Sequence, residues 1–194
     1  MASPSTKQAK PTGIIHLPDP VARMPAKDLH ASEDFKQALI QEEGVRNVVY
    51  LDVAKLPTVG VGHLVTPADG LKVGDKVSDD TILDFLHNDL KEAEAAVVRL
   101  VGDLPLFQHE YDALVDLVYN VGEGNLSRRK SPRLNAAITA GDYGAIAAEL
   151  DYHYAAGQMA RGLVYRSERR ARIFTNASYE NPRAASGVII RGSR

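Results

Sequence analysis

The stretch Glu43–His63 reads EGVRNVVYLDVAKLPTVGVGH and joins a helix end to a candidate β-hairpin. Glu43 ends a short amphipathic segment, and Asp52 follows nine residues later, after an apolar run. Hydrolysis of a glycosidic bond uses such a pair, because one carboxyl group protonates the leaving oxygen while the other directs water or stabilises the positive sugar carbon. We expect an apolar environment for Glu43 and a wetter one for Asp52.

The order of residue types in this stretch is more specific than the spacing of its carboxylates. It runs E-G, then Y-x-D, then T-x-G-x-G-H. This order resembles the signature of the phage-type lysozymes, the endolysin muramidases of glycoside hydrolase family 24, sharply over residues 42–63 and weakly over about 32–178. The resemblance implies that Glu43 is the general acid, Asp52 its catalytic partner and Thr58 a residue that helps to hold the attacking water.

Two residues inside the stretch depart from the family pattern. Lys55 stands where family members usually place a glycine in the hairpin turn, and Pro57 precedes Thr58 where a good strand former is usual. Proline donates no ladder hydrogen bond, and lysine adopts a left-handed turn conformation at some cost. We therefore expect a shorter or shifted β-hairpin, which affects the placement of Asp52 and Thr58 more than that of Glu43.

The helix before the stretch is predicted to begin at Ser32 as N-cap and to end at Gly44. Helical geometry does not choose between Glu42 and Glu43, since each lies about 50° from the centre of the apolar stripe at 100° per residue. The Glu-Gly step of the resemblance selects Glu43.

Further residues resemble supporting positions of the family. Asn120, in the motif Y-N-V-G, is similar to a residue that binds a substrate acetamido group, and a capping role before Gly122 is the alternative. Arg166, in G-L-x-x-R, resembles the arginine that pairs with the catalytic glutamate, with a solvated surface arginine as the alternative. His63 is a candidate base, but the resemblance implies a salt bridge to an aspartate of the long helix. Counting from the helix start identifies Asp89, and we favour this structural role.

Most of the chain after this stretch is predicted to be helical. The longest helix is predicted over about 78–101, where about 24 residues at 1.5 Å each span about 36 Å. Such a length suits a linking helix between one lobe at about 32–77 and a second at about 102–178. The apolar stripe of this helix repeats at helical spacing and consists of Ile82, Leu86, Leu90, Ala93, Val97 and Val101. The segment from about Pro105 to Val121 is apolar on most faces and is predicted as the buried centre of the second lobe. The remaining predicted elements are strands at Val48–Leu51 and Val59–Val61 and helices at Arg133–Ala140, Asp142 to about Tyr154, and Leu163 to about Asn176.

Together with the resemblance, these elements predict an α+β, lysozyme-like fold. A small N-terminal lobe with a β-hairpin and a larger helical C-terminal lobe flank a cleft. The segment 1–31, with five prolines, is predicted as an extended arm, and 179–194 as a tail. The arm is either dispensable or docks on a partner, because a proline-rich extended chain loses little entropy on ordering. Neither a secretory signal nor a membrane-spanning stretch is recognisable.

The amino-acid composition limits which reactions and ligands are expected for this chain. The 194 residues, 44% apolar and 25% charged, describe an ordinary globular protein. The absence of cysteine excludes disulfides and thiolate chemistry, and a formal charge of −2 predicts no nucleic-acid binding. The histidines are scattered and no G-x-S-x-G motif occurs, so we expect no metal, no cofactor and no serine nucleophile.

The resemblance implies hydrolysis of the β-1,4 bond between N-acetylmuramic acid and N-acetylglucosamine in bacterial peptidoglycan, with inversion. It implies a monomeric phage endolysin that is made in the host cytoplasm, does not insert into the membrane, and reaches the wall after release. Two alternatives stay open. One is a non-catalytic lysozyme-like binding or structural module, and the less favoured one is a lytic transglycosylase, which needs the acid but no water-directing aspartate. Delivery on a virion or secretion particle is the alternative to holin-dependent release.

Overall fold

The computed structural model describes the backbone of residues 22–150, 154–155, 158–159 and 161–181, and the side chains of 22–150 and 164–181. The described residues form helices and small antiparallel sheets, which confirms the predicted α+β class. The helices are α1 (Glu33–Glu43), α2 (Asp79–Val101), α3 (Gln108–Val121), α4 (Pro132–Ala140), α5 (Tyr143–Glu149) and α6 (Arg161–Asn176). The strands are β1 (Met24–Pro25), β2 (Arg46–Leu51), β3 (Pro57–Gly60), β4 (His63–Leu64), β5 (Pro105–Leu106), β6 (Tyr154–Ala155) and β7 (Gln158–Met159).

Helix α1 begins and ends where its sequence predicts. The Ser32 hydroxyl accepts a hydrogen bond from the backbone N–H of Phe35 at 3.1 Å, which satisfies one of the free donors of the first turn. Gly44 follows the helix with φ of 70°, a conformation that favours glycine. Glu43 is therefore the last helical residue, at the point where the chain turns into β2.

The sheet after α1 has three strands in the order β2-β3-β4, whereas the sequence predicted a two-stranded hairpin. The second strand is shifted from the predicted Val59–Val61 and begins at Pro57, a strand start where the missing N–H is tolerated. Lys55 adopts the left-handed conformation in the turn, with φ of 65°. The two departures from the family pattern are thus accommodated locally, and Tyr50 pairs with Thr58.

Helix α2 packs on strands β3 and β4 and also on helices α3 and α4. Its 23 residues span about 35 Å. Strand β3 approaches it closely at Gly60, where an added Cβ would lie 2.9 Å from Cγ2 of Ile82. The predicted apolar stripe is buried, and Ala96 is buried with it: Ile82, Leu86, Leu90, Ala93, Ala96, Val97 and Val101.

Helix α3 is the buried centre of the C-terminal lobe, with Tyr111, Leu114 and Val115 completely buried. It begins at Gln108 rather than at the predicted Pro105. Pro105 lies instead in strand β5, which pairs with β1. The local pattern favoured helix, but this pairing involves residues about eighty positions away in the sequence, which local patterns do not record.

The predicted arm boundary at residue 31 lies too far along the chain. Ala26, Leu29 and Ala31 are buried in the same core as α1 and α3. Arg23 donates hydrogen bonds from Nε and Nη2 to the buried carboxylate of Glu110 at the start of α3, the shortest from Nη2 at 2.7 Å. Residues 22–31 are therefore part of the folded domain, and the rest of the predicted arm lies outside the described residues, as does the tail beyond residue 181.

The last helices complete the C-terminal lobe, with α5 packed on α4 and α6. Asp142 caps α5, which ends at Glu149, earlier than the predicted Tyr154. Helix α6 begins at Arg161, two residues before the predicted Leu163, and packs on α3. Among the described residues, no helix combines the length and the apolar character that crossing a bilayer requires.

Candidate active site

Glu43 meets the C-terminal lobe through Arg166 of α6. The guanidinium of Arg166 donates from Nη1 to Oε1 of Glu43 and from Nη2 to Oδ1 of Asp116, the latter at 3.1 Å. Within the described residues, Oε2 of Glu43 receives no hydrogen bond and remains available to a ligand. The pairing of Glu43 with Arg166 predicted from the resemblance is present, and the alternative of a solvated Arg166 is wrong, because this residue is 6% exposed.

Arg166 belongs to a buried ion network between α3 and α6. Asp116 also accepts a hydrogen bond from Nε of Arg170 at 2.7 Å. Burial alone would raise the pKa of Asp116, but the two guanidinium groups hold it below its usual value. Burial likewise opposes the charge of Arg166, yet Asp116 and Glu43 raise its pKa above the ordinary value. Arg166 is therefore a permanent cation that anchors the Glu43 carboxyl group.

Arg169 lies next to Glu42, whereas Arg166 binds Glu43. Nη1 of Arg169 donates to the carbonyl of Ala38 at 2.8 Å and lies 3.5 Å from Oε2 of Glu42. The Glu42 side chain is 8% exposed, against 27% for Glu43. Glu42 is thus part of an internal ion pair, while Glu43 keeps the access to solvent that a proton donor needs.

The turn between β3 and β4 lies against Glu43. A Cβ added at Gly62, whose φ is 87°, would lie 3.9 Å from Cδ of Glu43. Tyr119 of α3 donates its hydroxyl to the carbonyl of Val61 at 2.6 Å, which holds the residue next to Gly62. Burial raises the pKa of Tyr119, and the Asp89 and Glu43 carboxylates act in the same direction, so the hydroxyl keeps its proton.

Asp52 and Thr58 lie on the β2–β3 hairpin. Asp52 follows β2, and its Oδ1 accepts from the N–H of Leu56 at 2.8 Å. Thr58 is buried, and its hydroxyl donates to the carbonyl of Leu56 at 3.1 Å. Thr58 lies in β3 opposite Tyr50, and Asp52 lies in the turn that follows β2. Both side chains are therefore held by the backbone of Leu56, Asp52 by its N–H and Thr58 by its carbonyl. The catalytic roles of Asp52 and Thr58 stay predictions.

His63, the first residue of β4, lies between two acids. Its Nδ1 is 3.0 Å from Oδ2 of Asp89, as the resemblance implies, and its Nε2 is 3.5 Å from Oδ2 of Asp69. The ring also stacks on Phe85 with centroids 4.0 Å apart. Burial raises the pKa of Asp89 against the opposing effect of His63, whereas hydrogen bonds from Thr66 lower that of Asp69. Contacts on both ring nitrogens and one ring face favour the structural role of His63.

Asn120 lies one residue before the end of α3, beside the ion network. Its Oδ1 is 3.4 Å from Nη2 of Arg170, and Gly122 ends the helix with φ of 77°. The neighbouring Tyr119, rather than Asn120, lines the adjoining cleft. The predicted contact of Asn120 with a substrate acetamido group therefore stays a prediction.

The cleft adjoins Gly62, between β4, α2 and the C-terminal end of α3, and has a volume of about 810 Å³. This size is within the usual range for ligand sites. Its lining includes four acidic residues, Asp69, Asp89, Glu92 and Glu123, and the rings of His63, Phe85 and Tyr119. Gly62 lines the cleft and also lies next to the Glu43 carboxyl group, which places the proposed acid at the border of the cleft.

Sequence reasoning missed Asp116, Tyr119 and Arg170 as parts of the site. Asp116 had a signal, because a carboxylate on a helix that is predicted to be buried needs a cationic partner. The arginines of α6 were the available cations. No sequence signal distinguished the hydroxyl of Tyr119, whose partner is a backbone carbonyl in the other lobe.

The family model for phage lysozymes matches residues 40–170, which include Glu43, Asp52, Thr58 and Arg166. The chain belongs to the phage lysozyme family. Among relatives of this phage lysozyme, the endolysin of Salmonella phage P22 is 39% identical over 87 residues, covering 44% of this chain and 58% of that protein. The SAR-endolysin of Escherichia phage Mu is 33% identical over 137 residues, covering 70% and 75%.

Solved structures support the same fold for this phage lysozyme. The endolysin from Escherichia coli O157:H7 phage FAHEc1 superposes with a TM-score of 0.68 at 25% identity, covering 78% of this chain and 97% of that one. The predicted lysozyme-like fold is therefore confirmed. The match to the P22 endolysin spans little more than half of that protein's length, 58%.

Proposed function

We propose that this protein hydrolyses the β-1,4 bond between N-acetylmuramic acid and N-acetylglucosamine in bacterial peptidoglycan. The observation that supports it most is the Glu43 carboxyl group, which is held at one oxygen by Arg166 and lies against Gly62 at the border of the cleft. The second support is the β2–β3 hairpin, where the side chains of Asp52 and Thr58 are both hydrogen-bonded to the backbone of Leu56.

The chemistry follows from these positions. Glu43 protonates the leaving glycosidic oxygen through its free Oε2 as the bond to the anomeric carbon breaks. Asp52 accepts a proton from water, and the Thr58 oxygen helps to orient that water for attack on the opposite face of the sugar. The product anomer is inverted, a course that requires carboxyl groups about 6.5–9.5 Å apart, against about 5–5.5 Å for retention.

The biological role that accompanies this activity is that of an endolysin. The protein is made in the host bacterial cytoplasm and degrades the wall after release across the membrane. We expect it to act as a monomer without a cofactor and without binding nucleic acid. Release through holin lesions is the favoured route, and docking of residues 1–21 on a particle is the alternative.

A substitution at Glu43 tests the activity. Glu43→Gln removes the donated proton but keeps the shape and a polar contact to Arg166, so hydrolysis of purified peptidoglycan should fall by at least about 10²-fold. The matched control is Glu42→Gln, an equal change one residue earlier, where most of the activity should remain. Circular dichroism and thermal unfolding of both variants show whether they fold.

Mass spectrometry of the digested wall separates the alternatives. Reducing muramic acid ends indicate hydrolysis, anhydro-sugar ends indicate a transglycosylase, and intact wall with bound protein indicates a non-catalytic module. Full activity of Glu43→Gln together with an inactive, folded Glu42→Gln would move the acid by one residue.

A further inference from the structure

A cluster of positive charge lies on the C-terminal lobe, away from Glu43. Residues 124–141 contain Arg128, Arg129, Lys130 and Arg133 and no acidic residue, which gives this segment a charge of +4 in a chain of formal charge −2. The rest of the chain therefore carries −6. We call residues 127–133 the basic turn.

Two guanidinium groups of the basic turn are free to bind a ligand. Arg133 pairs with Glu149 at 3.0 Å, and Lys130 donates to Oδ1 of Asn125 at 2.8 Å. Arg128 and Arg129 are exposed and make no hydrogen bond or ion pair with the part of the chain that the structure describes. These two arginines are not needed for any observed contact of the fold.

The basic turn is nonetheless rigidly built. The hydroxyl of Ser131 donates to the carbonyl of Asn125 at 2.9 Å, and its N–H donates to the carbonyl of Ser127 at 2.8 Å. Asn135 donates to the carbonyl of Leu126 at 2.8 Å, and Leu126 is buried. A ligand would therefore meet charges on an ordered backbone, which lowers the entropy cost of binding.

The basic turn also borders concave surface. Arg128 lines two neighbouring hollows, of about 340 and 520 Å³. The two hollows also share Arg99, Leu100, Ile138 and Thr139 as lining residues. An extended ligand bound at Arg128 can therefore contact the surface beside the basic turn.

We propose that the basic turn binds a linear, phosphate-bearing polymer of the bacterial surface. Guanidinium groups bind phosphate oxygens in pairs, and adjacent arginines suit a chain with repeated charges. A lipid bilayer fits less well, because surface helices and loops that dock on lipid insert apolar side chains. None of the exposed large hydrophobic residues of the described chain lies within 124–141.

Binding of long-chain inorganic polyphosphate to the full chain tests this proposal without any need for hydrolysis. Arg128→Glu/Arg129→Glu should weaken binding at low salt by at least about tenfold. The slope of log K against log salt should fall in magnitude by about 1.4, from the loss of two phosphate contacts on a flexible chain. The matched control is Lys72→Glu/Lys76→Glu, which makes the same change in net charge at exposed sites of the other lobe.

Several results would contradict this proposal. Equal losses in the two double variants would show a general charge effect and overturn the proposal. Binding to phosphatidylglycerol vesicles but not to polyphosphate would show that the ligand is a lipid surface and would overturn the proposal. Equal affinity for polygalacturonate, a polymer of carboxylates, would show that the basic turn does not prefer phosphate and would also overturn it. If the glutamate pair does not fold, Arg128→Gln/Arg129→Gln should still lower the affinity, and an unchanged affinity would overturn the proposal.

Discussion

Arg166 and Tyr119 act on the surroundings of the same carboxyl group from two different helices. Arg166 binds Oε1 of Glu43 directly, and Tyr119 fixes the carbonyl of Val61, next to the Gly62 backbone that lies against the carboxyl carbon. At the scale of single residues, the position of the proposed acid therefore depends on atoms contributed by α6, α3 and the β3–β4 turn.

Removal of the Tyr119 hydroxyl tests this positioning role. Tyr119→Phe leaves the buried carbonyl of Val61 without its partner, which should lower the free energy of unfolding by about 1–3 kcal/mol. We expect turnover to fall about tenfold with a smaller change in KM, because the turn beside Glu43 loses its anchor while the rest of the cleft remains. Steady-state hydrolysis of soluble glycan fragments and urea unfolding measure the two effects.

Tyr143→Phe is the matched control for this prediction. The Tyr143 hydroxyl also donates to a backbone carbonyl, that of Pro105 at 2.6 Å, but it lies outside the cleft. It should change stability with little effect on turnover. Equal losses of turnover in the two variants would show that Tyr119 acts through stability alone.

At the scale of elements, residues 22–31 form an extension of the fold that closes the core over α2 and α3. Strand β1 pairs with β5, and the Arg23 guanidinium stacks on Phe107 and Tyr143, at 4.5 and 3.6 Å from their ring centroids. The carbonyl of His30 accepts from Gln108 at 2.8 Å. These contacts give this segment a structural role that is separate from any delivery role of residues 1–21.

Two truncations distinguish these roles. Removal of 1–21 keeps every described contact and should leave stability and wall hydrolysis unchanged. Removal of 1–31 also deletes the buried Leu29, whose burial contributes about 1.5–3 kcal/mol. The same deletion leaves the buried Glu110 without its partner Arg23. We expect that deletion to lower the free energy of unfolding by at least about 3 kcal/mol.

Urea unfolding and wall hydrolysis of both truncations test the boundary. Equal stability of the two would show that residues 22–31 contribute nothing to the fold. Lysis of the producing cell addresses delivery: loss of lysis after removal of 1–21, with hydrolysis intact, would favour particle-borne or partner-dependent delivery over holin-dependent release.

At the scale of the whole molecule, Asp112 joins distant parts of the chain around α3. Its carboxylate accepts from the Ser32 hydroxyl at the start of α1 and from the Tyr179 hydroxyl after α6, both at 2.6 Å, and from Gln108 at 3.0 Å. Burial raises the pKa of Asp112 to about 6, although these hydrogen bonds oppose the shift. Asp116, one turn later, has a lowered pKa because of its two arginines.

These shifts have opposite consequences for stability. Because the folded pKa of Asp112 exceeds its unfolded value near 3.9, the native state binds the extra proton, and the stabilisation present below about pH 4 is lost as pH rises through about 6. The loss amounts to about 3 kcal/mol. Asp116 contributes stability above its unfolded pKa, and that contribution is lost as the solution becomes acidic.

Asp112→Asn removes the titration but keeps an amide that donates to either hydroxyl. Urea unfolding between pH 4 and 7 should show that the variant lacks the wild-type decline in stability over this range. Asp84→Asn, an exposed change on α2, should retain the decline. A parallel pH dependence of wild type and Asp112→Asn would show that Asp112 is ionised throughout the range.

The sequence alone determined the local features of this phage lysozyme. The Ser32 cap, the end of α1 at Gly44 and the apolar stripe of α2 follow from side-chain chemistry within a few turns of helix, and the structure reproduces each of them. The motif that begins at Glu43 likewise indicated the family, because its order of residue types can be recognised within one short stretch of sequence.

Only the tertiary structure decided which groups meet across the lobes. Glu42 and Glu43 are equivalent by helical geometry, and they differ because Arg169 and Arg166, more than a hundred residues away, approach them separately. The packing of residues 22–31 has the same cause, since its partners lie far along the chain. A local sequence pattern indicates which secondary structure a segment favours. It does not indicate which distant residue will pair with a buried charge or with a free strand edge, because that partner depends on how the whole chain packs.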